Sequence, residues 1–215
     1  MFLELSGVLE RLQNGLSTQV LEIGFGLGLN CLLTADAALN HRANLEYHAF
    51  EHDLVTRKAL ESLGYRNHLS CPELVDRLHT GLFEHAERGT GVPAGSPAEI
   101  DTARHIMLGR SKSEPTVDLT LLLSDATANM WPMPTRSVTF DAIYLDAFSP
   151  DTNTECWTEA MLSRLFTASR PDGGTLTTYC AKGVVRRRLE AIGFAVTRHP
   201  GPPGKREVLT AKRLE

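Results

Sequence analysis

The segment Leu21-Glu22-Ile23-Gly24-Phe25-Gly26-Leu27-Gly28-Leu29-Asn30 constrains the fold of this chain more than any other. It reads as the end of a buried strand, a glycine-rich turn and the start of a helix. That order belongs to α/β proteins, in which a parallel strand feeds into a helix that covers the sheet. Gly24 and Gly26 let backbone come close to a ligand, Gly28 lets the helix pack tightly, and the helix start offers unpaired N–H groups. The spacing is G-x-G-x-G, not the dinucleotide pattern G-x-G-x-x-G, and no Gly-Lys-Ser/Thr follows to make a phosphate loop.

The remainder of the chain continues the alternation. Strands are expected at residues 19–24, 45–51, 117–123, 139–145 and 173–180, and helices at 27–39, 73–87, 155–168 and 184–192. Asp53 is a plausible N-cap for a helix running to about Leu63, and Gly193 a C-cap. Residues 194–198 and 207–211 are expected to pair antiparallel across Pro200-Gly201-Pro202-Pro203-Gly204. Residues 89–97 are a breaker-rich loop and 100–114 an excursion from the main fold, so 89–116 reads as a loop insertion within one domain spanning 1–215.

Three expected strand ends carry acids: Glu51, Asp125 and Asp146. Open α/β sheets bind ligands beyond the carboxyl ends of their strands. Glu51 can accept hydrogen bonds from two ribose hydroxyls and Asp125 one from an adenine amino group. Together with the glycine turn they describe an adenosine ligand without phosphates. Glu22, just before the turn, would repel a pyrophosphate but suits a sulfonium or an amine, which favours S-adenosyl-L-methionine. Asp146 opens the turn Asp146-Ala147-Phe148-Ser149-Pro150, where it either terminates the strand or handles an amine.

Composition excludes several classes. With 42% hydrophobic and 22% charged residues the chain can bury a core. No apolar run approaches the roughly 20 residues that span a bilayer, and no basic segment followed by an apolar core marks a signal peptide. Cys31, Cys71, Cys156 and Cys180 are scattered without metal spacing, and the eight histidines show none, so no metal is assigned and a reducing cytoplasm is expected. The net charge is −4, yet residues 182–215 hold nine basic and three acidic side chains, leaving −10 for the rest. Such asymmetry suits a surface that faces a polyanion.

The same residues carry a family resemblance. The runs LEIGFGLGLN (21–30), Glu51-His52, SDA (124–126), YLDAFSPDTNTECWT (144–158), GGTLTTYCAKGVVRRRLEAIGF (173–194) and GPPGKREVL (201–209) appear in that order. Over most of residues 20–210 the chain resembles the methyltransferase domain of MnmC, the bifunctional enzyme of tRNA 5-methylaminomethyl-2-thiouridine biosynthesis, and its stand-alone relatives. The resemblance implies a Rossmann-like class I S-adenosylmethionine-dependent methyltransferase fold: mostly parallel, with an antiparallel C-terminal strand. It implies N-methylation of the aminomethyl group of a wobble 5-aminomethyl-(2-thio)uridine in the tRNA anticodon loop.

By resemblance, Glu22, Gly24, Gly26, Gly28, Asn30, Glu51, Asp125 and Asp146 hold the cofactor, and Asp146 faces the reacting amine. Phe148, Pro150 and Trp157 shape the base pocket, and Lys182, Arg186, Arg187, Lys205 and Arg206 meet RNA phosphates. Trp157 reads equally as plain core, and Arg186 and Arg187 as a solvated helix face. Relatives carry a further segment before the glycine strand, which about 18 residues precede here. A second, flavin-binding half is not evident, so the oxidative step is expected either to be absent or to lie on another protein, a separate flavin oxidoreductase. Two other readings fit the residues: methylation of another small amine or a protein nitrogen, and a catalytically idle RNA-binding relative.

Overall fold

Residues 18–23 alternate nothing: Val20, Leu21 and Ile23 are all buried, because a central parallel strand is covered on both faces. This strand organises the rest. The computed structural model describes residues 1–87, 102–109, 115–128, 139–204 and 206–214. In chain order the elements are α1 (Phe2–Leu5), α2 (Val8–Gln13), β1 (Thr18–Ile23), α3 (Leu29–Asn40), β2 (Leu45–Glu51), α4 (Arg57–Glu61) and α5 (Glu73–Glu87). They continue with β3 (Thr102–Met107), β4 (Val117–Leu123), β5 (Ala142–Leu145), α6 (Glu159–Ala168), β6 (Thr175–Thr178), α7 (Gly183–Ile192), β7 (Phe194–Pro200) and β8 (Glu207–Arg213).

The described strands form one sheet in the order β3-β4-β2-β1-β5-β6-β8-β7. β4, β2, β1, β5 and β6 are parallel, whereas β3 and β8 run antiparallel to their neighbours β4 and β6. Strand order reverses at β1: the chain builds outward through β2 and β4, then returns to β5 on the other side. A ligand crevice is therefore expected beyond the carboxyl ends of β1, β2 and β5. One face is packed by α1, α2, α3 and α5 on Val20, Tyr47, Leu121 and Tyr144, and the other by α6 and α7 on Leu21, Ile23, Ile143 and Leu145.

The alignment of β5 on β1 is set from the opposite end of the sheet. Buried Asp141 accepts a hydrogen bond from the Gln19 amide at 2.8 Å and pairs with Arg11 at 3.0 Å and Arg170 at 2.7 Å. Ile23 then lies opposite Leu145, and the Asp146 amide donates to the Ile23 carbonyl at 2.9 Å. This brings Asp146 against Gly24.

Several local expectations are corrected. Thr56, not Asp53, caps α4, its side chain accepting from the Ala59 amide at 3.3 Å. The helix expected over 155–168 is broken: Thr154–Trp157 is a short 3-10 turn, and Thr158 then caps α6. Of the strand expected at 139–145 only Ala142–Leu145 is laddered, Phe140 making an isolated bridge to Ser169. Within the expected excursion and loop insertion, Thr102–Met107 is an edge strand of the main sheet, so alternating Ala103, His105 and Met107 belong to β3. The expected loop at 89–97 lies outside the described residues. No helix among the described residues is long and apolar enough to cross a membrane.

Candidate functional site: the crevice at the strand-order reversal

The glycine turn is built for proximity rather than flexibility. Gly24 has φ +90°, and a Cβ there would lie 2.9 Å from the Asp146 carbonyl oxygen. The exits of β1 and β5 can touch only because this residue has no side chain. At Gly28, where φ is +73°, a Cβ would sit 3.0 Å from the Phe25 ring and 3.1 Å from Leu78. Above Gly26 a Cβ would meet nothing within 4 Å, so the crest of the turn faces open space. Glu51, at the exit of β2, fastens that crest: it accepts from the Gly26 amide at 2.7 Å and from the Asp53 amide at 3.0 Å.

Behind the turn lies a buried polar chain. Glu22 is 0% exposed; it accepts from the Asn30 side-chain amide at 2.8 Å and from the Tyr47 hydroxyl at 2.9 Å. The same Asn30 nitrogen donates to Asp146 Oδ2 at 3.1 Å. Burial in the sheet raises the Glu22 carboxyl to about 8, against the hydrogen bonds of Asn30 and Tyr47 that pull it down. Glu22 therefore carries a proton at neutral pH.

The turn after Asp146 is stapled to the core. The Trp157 indole N–H donates to the Phe148 carbonyl at 2.8 Å, and the Thr154 hydroxyl to the Pro150 carbonyl at 2.9 Å. Trp157 itself is 1% exposed and packed in the core, which corrects its expected place as a wall of the base pocket. Its contribution is to hold the loop. Phe148, 76% exposed, is the aromatic that the loop presents. Tyr179, which follows β6, packs edge-on against Phe2 at 4.9 Å, so α1 reaches the exit of β6.

The structure thus brings Gly24, Gly26, Gly28, Glu51 and Asp146 together, with Asn30 reaching in from α3. Glu22 sits behind the crevice rather than in it. Asp125 is exposed at the exit of β4 and accepts from the amide and hydroxyl of Thr127, both at 2.7 Å, a local turn bond. The basic residues gather at the same edge, because β6 ends there and the turn after β7 returns there. Lys182 precedes α7 and pairs with Asp151, Arg186 pairs with Glu190 at 2.7 Å, and Arg187 and Arg206 are exposed. Lys205 lies outside the described residues.

The donor set decides what kind of ligand fits. Carboxylates surround the glycine turn and the cations stand off at the rim, so a pyrophosphate is disfavoured and a cationic, hydroxyl-bearing ligand suits it. The sequence profile of the S-adenosyl-L-methionine-dependent methyltransferase family matches residues 101–214, more than half of the chain. The chain belongs to that family. Its cofactor is S-adenosylmethionine, and the acid-lined crevice with open space over Gly26 fits it.

Relatives in the same family are similar along the methyltransferase's length. The tRNA 5-methylaminomethyl-2-thiouridine biosynthesis bifunctional protein MnmC of Aromatoleum aromaticum is 34% identical over 222 residues, covering 100% of this chain and 30% of its own length. The corresponding protein of Cupriavidus necator is 31% identical over 192 residues, covering 89% and 26%. The chain therefore spans under a third of the curated relatives it matches. In fold it is similar to the crystal structure of MNMC2 from Aquifex aeolicus, with TM-score 0.67 and 24% identity over 98% of this chain and 58% of that one.

Glu22 makes the methyltransferase's stability pH-dependent. The unfolded carboxyl titrates near 4.5 and the folded one near 8, so between these values the native state keeps a proton that the unfolded chain has lost. Stability then falls as pH rises from about 4.5 to about 8 and levels off above, by on the order of 5 kcal/mol. Glu22→Gln, neutral throughout, is expected to remove that decline and be the more stable protein at pH 8. Urea unfolding at pH 5 and pH 8 checks this; parallel profiles for the two proteins would contradict it.

One feature escaped the sequence reading: Tyr47 looked like one apolar position in a strand, yet its hydroxyl reaches Glu22. A carboxylate inside the apolar run of β1 was the available signal, since a buried acid requires donors nearby.

Proposed function

We propose that this methyltransferase moves a methyl group from S-adenosylmethionine to the aminomethyl nitrogen of a wobble 5-aminomethyl-(2-thio)uridine in the tRNA anticodon loop. The observation that carries the proposal is Asp146. It lies against the glycine turn at Gly24, is fixed by Asn30, and opens a loop that presents Phe148 to solvent. The names of the MnmC relatives and the ordered motif matches support the substrate.

In this reading the backbone of Gly24, Gly26 and Gly28 cradles the cofactor, Glu51 accepts from the ribose and Asp125 from the adenine amino group. Each acid already holds a protein donor, but a carboxylate has about four acceptor positions, so further bonds are compatible. The bound cofactor supplies an electrophilic methyl carbon on a sulfonium. An aliphatic amine, with a pKa of roughly 10, arrives protonated. Asp146 accepts a hydrogen bond from the ammonium, orients it, and lets its proton pass to water. With its lone pair freed and an N–H held by Asp146, the amine would take the methyl group, the N–C bond forming as the cofactor's S–C bond breaks. Alignment of this kind lowers a barrier by several kcal/mol. A base in a single-stranded loop can be splayed out and stacked on Phe148. Pro150 shapes that loop. Lys182, Arg186, Arg187, Lys205 and Arg206 meet phosphates along the rim, an interaction that weakens steeply with salt. The amine itself would be supplied by a flavin oxidoreductase, the partner this reading calls for.

The acid-lined crevice also suits a free polyamine, which makes that the second reading. Methyl transfer is assayed in parallel on under-modified tRNA and on free polyamines. Transfer to tRNA with none to polyamines is expected; the reverse would overturn the tRNA assignment.

A further inference from the structure

We infer that Asn30 is a positioning residue for methyl transfer: its side-chain amide, backed by Glu22 and Tyr47, aims the Asp146 carboxylate at the reacting amine. This goes beyond a cofactor-binding role for Asn30 and rests on the reading that Asp146 meets the amine.

The geometry is a line of four side chains from four elements. Tyr47 on β2 donates to Glu22 on β1, Asn30 in the first turn of α3 donates to Glu22, and Asn30 donates again to Asp146 beyond β5. A side-chain amide nitrogen has two N–H groups. With bonds of 2.8 Å and 3.1 Å to the two acids, both donors of Asn30 are committed to protein carboxyls rather than to a ligand. Asn30 is itself fixed, because its carbonyl accepts from the Thr34 hydroxyl at 2.7 Å and the helix starts against Phe25 and Leu78. Anchoring Oδ2 of Asp146 also sets the direction of Oδ1.

Charge explains why the arrangement needs Glu22 in this state. The groups facing Glu22 are Asn30 and Cys31 from α3, Tyr47 and Glu51 from β2, Tyr144 from β5 and Asp146 just beyond it. Burial holds its carboxyl up near 8, so a neutral acid stands beside Asp146. Asn30 can then bridge the two groups without two adjacent anions repelling each other. Tyr179, which follows β6, is also within electrostatic reach of Asp146.

The test compares Asn30→Leu, close in size and without donors, with Tyr47→Phe, which loses one hydroxyl and keeps its ring in the core. Three readouts are taken: equilibrium binding of S-adenosylmethionine, kcat for methyl transfer, and the carbon-13 titration of the Glu22 carboxyl. Asn30→Leu is expected to lower kcat about 100-fold while the cofactor Kd changes by less than about threefold. Tyr47→Phe is expected to lower kcat by about tenfold or less, because it acts one bond further away. The Glu22 carboxyl should titrate higher in both variants, since each loses a hydrogen bond that favours the ionised form. A cofactor Kd weakened about tenfold or more with kcat retained would make Asn30 a cofactor ligand and overturn the inference. An unmoved Glu22 titration would do the same. If the wild-type protein transfers nothing to tRNA, the functional reading fails by itself, and the titration and cofactor affinity still decide the role of Asn30.

Discussion

Asp146→Ala is expected to lower methyl transfer by about 10³-fold while changing S-adenosylmethionine affinity only a few-fold. The asymmetry follows from the site. Asp146 enters the crevice from β5, whereas the glycine turn and Glu51 belong to β1, α3 and β2. Removing the carboxylate leaves that framework in place, with Gly26 still bonded to Glu51 at 2.7 Å. In the proposed role, what is lost is orientation and charge at the amine, the contribution for which misplacement by about 1 Å costs on the order of 100-fold. Asp146→Asn, which keeps the shape and loses the charge, should fall between the two proteins. Single-turnover rates and equilibrium binding separate the terms; unchanged turnover in Asp146→Ala would remove this residue from the mechanism.

Gly24→Ala should have the largest effect on the protein itself. The methyl group would lie 2.9 Å from the Asp146 carbonyl oxygen and 3.1 Å from its carbon, at a φ of +90°. Backbone cannot yield there as a flexible side chain would. The Asp146 amide is bonded to Ile23, and the amides of Gly24 and Phe25 both reach the Phe50 carbonyl, at 3.0 Å and 3.1 Å. Strain of this kind costs roughly 1–3 kcal/mol before the clash is counted, so a loss of about 3 kcal/mol is expected. Cofactor affinity should fall at least about tenfold, because the exits of β1 and β5 must part. Gly26→Ala is the matched control. Its methyl group would meet nothing within 4 Å, so most of its stability should remain. A Gly24→Ala protein as stable as wild type, by urea unfolding, would show that the β1 and β5 exits are not in contact.

The parts of the fold legible in the sequence were those fixed by local rules. The glycine turn, the apolar strands and the alternation of strand with helix specified a mostly parallel sheet, and the strand-end acids pointed to its crevice. Membership of the methyltransferase family agrees with that reading. The parts that were not legible depend on partners distant in sequence. Edge strand β3 is recognisable only once β4 offers it a ladder. The cap of α4 moved from Asp53 to Thr56, two acceptable capping residues between which tertiary packing chose. Trp157 could be core or pocket until its indole was seen to reach the Phe148 carbonyl. Glu22 and Asn30 stand out in the sequence, but the hydrogen-bonded chain that joins them includes Tyr47, 25 residues from Glu22. A parallel register brings that hydroxyl to the acid, and no local pattern announces it.

Alignment of a tRNA amine with the cofactor's methyl group, as proposed for the crevice, is read out by nucleoside mass spectrometry of under-modified tRNA incubated with this protein and S-adenosylmethionine. The expected result is that 5-aminomethyl-uridine, with or without sulfur, gains the mass of one CH2, a methyl group in place of an amine hydrogen, and that no other nucleoside changes. An aminomethyl nucleoside left unaltered by a protein that binds S-adenosylmethionine would contradict the account.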